Sequence, residues 1–117
     1  MQRTILLADD DAAVRRMLCR VLSEENYRVI PAHDTEDALQ KLKVEAVDLV
    51  LLDLMLPRID HANLGQQLRD EKSSLPFILI SSRNNGRHSA LQHPKDVLIE
   101  KPLDLLNLLT IIDGLLH

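Results

Sequence analysis

The chain has 117 residues, a formal net charge of −4 and only two aromatic side chains. That length predicts one domain over residues 1–117, with an aliphatic core that needs no disulfide or metal to hold it together. The acidic balance argues against direct nucleic-acid binding, because phosphate contacts need clustered Lys and Arg. The sequence shows no signal pattern and no apolar run near the roughly 20 residues that span a bilayer, so we expect a cytoplasmic protein without membrane contact.

The first predicted elements are a strand and a helix. Residues 3–8 are predicted to form a short buried strand, which ends at three acids, Asp9, Asp10 and Asp11. From residue 12 to about 26, apolar residues recur at helical spacing, which predicts an amphipathic helix. Its expected buried stripe consists of Val14, Met17, Leu18, Val21 and Leu22. Its expected outer face holds Arg15, Arg16, Arg20 and Glu24. Cys19 cannot form a bridge within the chain, and its setting predicts a buried or half-buried thiol.

The next predicted strand and helix are shorter. Residues 27–30 read as a strand near a sheet edge, and Pro31 should limit its extension. Residues 33–35 offer caps for a helix that runs through residue 43. The residues that this helix should bury are Ala38, Leu39 and Leu42.

The stretch from residue 47 is purely aliphatic from Leu49 to Leu52 and ends abruptly at Asp53. A run without polar alternation is typical of a parallel strand covered on both faces, and ligands bind outside the carboxyl ends of such strands. Asp53 is therefore a candidate functional residue. The competing interpretation is an acid that caps the following turn.

The second half of the chain continues the alternation of predicted strands and helices. The predicted elements are a loop at residues 54–60, a helix at 62 to about 72, a strand at 77–80, a polar stretch at 83–88, a strand at 96–99 and a helix from about 103 to 116. Five strands alternating with helices predict an α/β fold with a doubly wound parallel sheet, covered by helices on both faces. Periodicity does not fix the strand order, but a flavodoxin-like order 2-1-3-4-5 would place the first and third strands side by side.

In that order, Asp9, Asp10 and Asp53 would lie in one crevice. Carboxylates that lie so close together repel one another unless a cation binds between them. A set of oxygen ligands suits Mg²⁺. Ser81 and Lys101, at the ends of the fourth and fifth strands, would add a hydroxyl donor and a positive charge. This combination suits the transfer of a phosphoryl group to an aspartate.

Taken together, four motifs in the chain resemble the receiver domain of two-component response regulators. They are ILLADDD at residues 5–11 with Arg15 following, LLDLMLP at 51–57, PFILIS at 76–81 and EKP at 100–102. Each motif is weak alone, but their order and spacing are highly specific and cover essentially the whole chain.

The resemblance implies a role for each strand-end residue. Asp53 would be the phosphoacceptor, Ser81 the switch hydroxyl and Lys101 the phosphoryl-binding lysine, with a cis bond to Pro102. The implied Mg²⁺ ligands are Asp9, Asp10, Asp53 and the backbone carbonyl of Met55.

The same resemblance implies partners for such a switch. A sensor histidine kinase or a histidine phosphotransfer protein would supply the phosphoryl group. An effector domain or partner protein would bind through the face that the family's fourth helix, fifth strand and fifth helix form. The chain would catalyse only its own phosphorylation and dephosphorylation, so we do not expect an enzyme in the ordinary sense.

The sequence departs from the family at four places. His61 stands where a glycine is usual, Ser82 where an Ala or Gly is usual, and Leu98 where the switch Tyr or Phe is usual; the stretch at residues 83–97 is short. These departures leave open a degenerate receiver that acts only as an interaction module. They also suggest that order in residues 82–96, rather than an aromatic rotamer, carries the signal.

Two other classes of protein fit the chain less well. An aspartate-nucleophile phosphatase needs a second acid two residues after the nucleophile, where this chain has Met55. A flavin mononucleotide carrier needs a phosphate-binding loop after the first strand, where this chain has three aspartates that would repel the phosphate.

Overall fold

The computed structural model describes residues 2–53, 75–81 and 96–117. Within these ranges the chain forms five strands and three helices. The strands are β1 (Thr4–Ala8), β2 (Arg28–Ala32), β3 (Leu49–Asp53), β4 (Phe77–Ser81) and β5 (Val97–Glu100). The helices are α1 (Ala12–Glu24), α2 (Thr35–Val44) and α3 (Leu105–Leu116). None of these three helices has the length and apolar character needed to cross a membrane.

The five strands form one parallel sheet in the order β2-β1-β3-β4-β5, which confirms the flavodoxin-like prediction. Every residue of β1, β3 and β4 is buried, as the unbroken aliphatic runs predicted. Because all strands run in the same direction, their carboxyl ends lie along one edge of the sheet. That edge carries the polar residues singled out in the sequence.

Alternation along β1 divides the core into two layers. Ile5 and Leu7 pack with α1 and α3 on one face of the sheet, while Leu6 and Ala8 pack with α2 on the other face. The helix residues buried in the first layer are Leu18, Leu22, Leu108, Ile112 and Leu116. Helices therefore cover both faces of the sheet, and neither face of the central strands is left to water.

Each of the three described helices begins at an aspartate cap. Asp11, Asp34 and Asp104 accept hydrogen bonds from backbone N–H groups of the first turn at 2.8 to 3.3 Å. These bonds satisfy N–H groups that have no partner inside the helix. The cap at Asp104 also explains why α3 begins at Leu105, two residues later than the sequence pattern suggested.

The predicted end of the second strand at residue 30 was wrong, because β2 continues through Pro31 to Ala32. Among the described strands β2 pairs only with β1, so it lies at the sheet edge, where a residue without an N–H is tolerated. The carbonyl of Pro31 accepts a hydrogen bond from the Lys41 ammonium of α2 at 2.5 Å. Pro31 is thus tied to the helix that follows its strand.

The predicted buried stripe of α1 was wrong at Met17, which is 41% exposed, while Val14 and Val21 are half-buried. Leu18 and Leu22 lie one turn apart and occupy the centre of the stripe, and Met17 lies about 100° around the helix from Leu18. Leu39 of α2 is likewise half-buried rather than buried, while Cys19 is half-buried as expected. Burial raises the pKa of the Cys19 thiol.

We predict that Asp104→Ala lowers the free energy of unfolding by about 1 kcal/mol, because it removes the cap of α3. Asp104→Ser should retain most of the stability, since a serine hydroxyl also caps. Asp113→Ala is the matched control in the same helix, with a side chain that is 73% exposed, and should change stability by less than about 0.5 kcal/mol. Urea denaturation measures all three; equal losses for Asp104→Ala and Asp113→Ala would contradict the capping role.

Candidate functional site

Three acids meet where β1 and β3 end side by side. Ala8 lies opposite Leu52 in the β1–β3 register, and the next residues are Asp9 and Asp53. Each of Asp9, Asp10 and Asp53 offers a carboxylate oxygen, and these atoms all lie within 4.8 Å of one another. Asp9 and Asp53 are 0% and 2% exposed, whereas Asp10 faces solvent. The predicted clustering of these three carboxylates is therefore confirmed.

Asp9 is fixed by hydrogen bonds to two neighbouring segments. Its backbone N–H donates to the carbonyl of Ala32 in β2 at 3.1 Å, and its Oδ1 accepts from the N–H of Asp11 at 2.9 Å. Its other carboxylate oxygen, Oδ2, is buried and has no hydrogen-bond partner among the described residues. Buried oxygens without a partner are rare in folded proteins, so Oδ2 needs an explanation.

The environment of Asp9 disfavours its charged form. The pKa of Asp9 is raised to about 6: burial is the largest cause and the negative charge of Asp53 adds to it, while the Asp11 N–H and the charge of Lys101 oppose the shift. A bound cation would reverse this balance by favouring the carboxylate. The bare Oδ2 and the all-oxygen donor set fit a hard divalent cation such as Mg²⁺.

Lys101 brings a positive charge to the same crevice. Its Nζ lies 3.2 Å from Oδ2 of Asp53, and its backbone N–H donates to the carbonyl of Ser81 at 2.7 Å. The side chain is 30% exposed, so one end of this ion pair is buried and the other reaches solvent. The bond from Lys101 to Pro102 is cis, as the resemblance implied.

Ser81 is the buried last residue of β4. Asp53 lies opposite Ile80 in the β3–β4 register, so Ser81 follows the direct neighbour of Asp53 by one residue. Ser81 in turn lies opposite Glu100, which precedes Lys101. The ends of β1, β3, β4 and β5 thus place the five described candidate residues along one edge of the sheet.

The sequence interpretation missed the position of Arg15. It assigned this side chain to the outer face of α1, but Arg15 is half-buried and its Nη1 donates to the backbone carbonyl of Asp9 at 2.7 Å. One signal was present in the sequence, because a cation in the first turn of a helix is unfavourable to the helix dipole and so needs another reason to be there.

Several predictions fall on residues outside the described ranges. These are the loop at residues 54–60 with the Met55 carbonyl as a metal ligand, the helix at 62 to about 72, the polar stretch at 83–88, and the effects of His61 and Ser82. The segment 82–96, which was predicted to carry the signal, lies outside the described ranges except for residue 96. Leu98 is described: it is half-buried and packs against the core layer that contains Leu79.

Comparison with known proteins identifies the family. The model of the response regulator receiver domain matches residues 5–113. Response regulator MprA of Mycobacterium ulcerans (strain Agy99) is 36% identical over 119 residues, an alignment that covers 100% of this chain and 51% of MprA. The chain therefore spans about half the length of the curated relatives it matches.

Solved structures agree with this assignment. A two-component response regulator from Clostridium difficile superposes with a TM-score of 0.90 at 26% identity, covering 98% of this chain and 96% of the other. A response regulator receiver protein from Sinorhizobium medicae WSM419 gives a TM-score of 0.87 at 26% identity, covering 98% and 94%. Fold and site together define a flavodoxin-like domain with an acid cluster at its strand ends. The chain belongs to the receiver-domain family of response regulators.

We predict that Asp9→Asn stabilises the metal-free protein at neutral pH. The pKa of Asp9 rises from 3.8 to about 6 on folding, so the folded state binds this proton more tightly and the group's contribution to stability falls as pH rises between those values. At about 1.4 kcal/mol for each pKa unit, the gain from Asn is roughly 1 to 3 kcal/mol above pH 6.

Urea denaturation in a chelator, at pH values above 6 and below 4, measures this effect. The gain of Asp9→Asn should shrink at the lower pH, where the carboxyl is protonated in both states. Asp113→Asn, an exposed acid far from the cluster, should show no such gain. An Asp9→Asn variant that is less stable than wild type at both pH values would show that burial of this charge is not costly.

Proposed function

We propose that this chain is a phosphoacceptor switch of a two-component phosphorelay, in which Asp53 receives a phosphoryl group from a histidine kinase or a histidine phosphotransfer protein. The observation that carries this proposal is the 3.2 Å contact of Lys101 with the buried Asp53, beside the acid pair Asp9 and Asp10. A nucleophilic carboxylate, a cation and a cluster of metal-binding oxygens are the parts that phosphoryl transfer needs.

In the proposed reaction, a carboxylate oxygen of Asp53 forms a P–O bond while the P–N bond of the donor phosphohistidine breaks. The imidazole leaves with the electron pair of that bond and takes a proton from solvent. The Lys101 ammonium lies where it can stabilise negative charge on the phosphoryl oxygens, because it already contacts Asp53. The Ser81 hydroxyl, at the end of the neighbouring strand, is proposed as a second donor to the same oxygens.

Mg²⁺ is the proposed cofactor. Asp9, Asp10 and Asp53 would hold it, together with the Met55 carbonyl that the family resemblance implies. When bound, the ion supplies positive charge to the phosphoryl oxygens. The unpartnered Oδ2 of Asp9 supports this assignment, because a cation would satisfy the oxygen that the described residues leave bare.

The wider role is also a proposal. The curated relatives are about twice as long as this chain, so an effector partner or domain acting through a face that includes β5 and α3 is our inference from the family. We further propose that residues 1–117 act as one receiver domain without turnover of a small-molecule substrate. The alternative of a degenerate interaction module gains no support from the described residues, which retain the acid cluster and the lysine.

We predict that, with Mg²⁺ and a small acyl phosphate, the protein gains one acid-stable, base-labile phosphoryl group at Asp53. Intact-mass measurement followed by peptide mapping tests this directly. Asp53→Asn should gain none, because an amide is not a nucleophile here, while Asp113→Asn should be labelled like wild type. Label on Asp53→Asn, or no label on a wild-type protein that binds Mg²⁺, would exclude the proposed reaction.

We also predict that Mg²⁺ raises the melting temperature, because a cation that binds only the folded state stabilises it by mass action. At about a hundredfold excess over the dissociation constant the gain is about 2.7 kcal/mol, which corresponds to several degrees for a domain of this size. Asp10→Ala should abolish the shift without unfolding the protein, since Asp10 is exposed. Asp11→Ser, which keeps a helix cap, is the matched control; an unchanged shift in Asp10→Ala would remove Asp10 from the ligand set.

A further inference from the structure

Arg15 joins the first turn of α1 to the end of β1. Its guanidinium Nη1 donates to the backbone carbonyl of Asp9 at 2.7 Å, and its own backbone N–H donates to the carbonyl of Asp11 at 2.9 Å. Asp11 also caps α1 through its carboxylate. The three residues from Asp9 to Asp11 are therefore tied at both ends to the same helix, and Asp10 lies between the two fixed points.

The bond to the carbonyl of Asp9 controls more than Asp9 itself. A peptide group is planar, so the carbonyl of Asp9 and the N–H of Asp10 move as one unit. A hydrogen-bond donor that fixes this carbonyl therefore also fixes the plane of the peptide that joins Asp9 to Asp10. Asp10 is the exposed member of the acid cluster, and the buried Asp9 is already fixed by its other hydrogen bonds. The guanidinium therefore constrains chiefly the direction in which the Asp10 carboxylate points.

The helix dipole does not favour an arginine at this position. A positive charge in the first turn of α1 opposes the helix dipole, and α1 has no acid in its first turn to offset it. The same charge would also repel a cation held by Asp9 and Asp10. A role that depends only on charge therefore predicts tighter cation binding when Arg15 is removed.

We propose that Arg15 is a positioning residue that holds the Asp9–Asp10 peptide and thereby directs the carboxylates of the acid pair toward a shared divalent cation. This role deepens the proposed function and rests on it, because the cation is the Mg²⁺ assigned there. Arg15 acts through the backbone and does not itself contact the cation. Its loss weakens cation binding even though a repelling charge is removed.

The test compares Arg15→Met with Arg16→Met. Both variants lose one positive charge from neighbouring positions of α1, but Arg16 is exposed and no hydrogen bond from it to Asp9 is present in the described structure. Isothermal titration with Mg²⁺ alone measures the dissociation constant. Arg15→Met should weaken binding on the order of tenfold or more, as loss of a group that orients a metal ligand usually does. Arg16→Met should bind as tightly as wild type or slightly more tightly.

A conservative variant and a second readout separate positioning from general stability. Arg15→Lys keeps a donor on a long stem and should recover part of the lost affinity. The Mg²⁺ concentration that gives half-maximal phosphorylation should rise in parallel with the dissociation constant of Arg15→Met. If Arg15→Met fails to fold, Arg15→Gln carries the same expectation, because its shorter amide does not reach the Asp9 carbonyl.

The outcomes distinguish this inference from the proposed function. Equal or tighter Mg²⁺ binding by folded Arg15→Met, beside normal binding and labelling of wild type, would overturn the positioning role alone. A loss of phosphorylation at every Mg²⁺ concentration with unchanged affinity would also overturn it. A wild-type protein that binds no Mg²⁺ and takes up no phosphoryl group would overturn both proposals.

Discussion

The parallel pairing of β1 with β3 is the constraint on which the site depends. In the sheet, β1 pairs with β2 on one side and with β3 on the other side. The direction in which the chain winds therefore reverses at β1, and a crevice opens between the carboxyl ends of β1 and β3. The register puts Ala8 opposite Leu52, so Asp9 and Asp53 leave the sheet at the same level. A slip of one residue in either strand would exchange its two faces and separate the acids.

Bringing carboxylates together in a buried crevice opposes folding, and the rest of the sheet compensates for it. The raised pKa of Asp9 reflects this cost directly, since burial and the charge of Asp53 both disfavour its carboxylate. Lys101 offsets part of the cost by pairing with Asp53. The fully buried strands β1, β3 and β4 supply the apolar burial that lets the fold retain such a group. Separate residues thus provide stability and chemistry, although they share the same strands.

The sequence predicted the strands well because aliphatic runs and strand-end charges are local signals, and the family resemblance supplied the pairing that local patterns leave open. It failed where the outcome depends on tertiary context. The second strand was expected to stop before Pro31, but the edge position of β2 tolerates this proline within the strand. Met17 fits the apolar periodicity of α1, yet it lies to the side of the face that packs on the sheet. The direction of the long Arg15 side chain is set by the turn that precedes α1, so periodicity placed it on the wrong face.

The two cations of the crevice differ in what they bind. Lys101 contacts the Asp53 carboxylate, so its charge acts directly on the group proposed to react. Arg15 donates to a neutral carbonyl and leaves the carboxylates of Asp9 and Asp10 without an arginine partner in the described structure. An arginine paired with either acid would compete with a divalent cation, because a bidentate guanidinium is itself a strong ligand for a carboxylate. By bonding to the backbone instead, Arg15 constrains the acid pair without neutralising it, and the oxygens stay available to a metal ion.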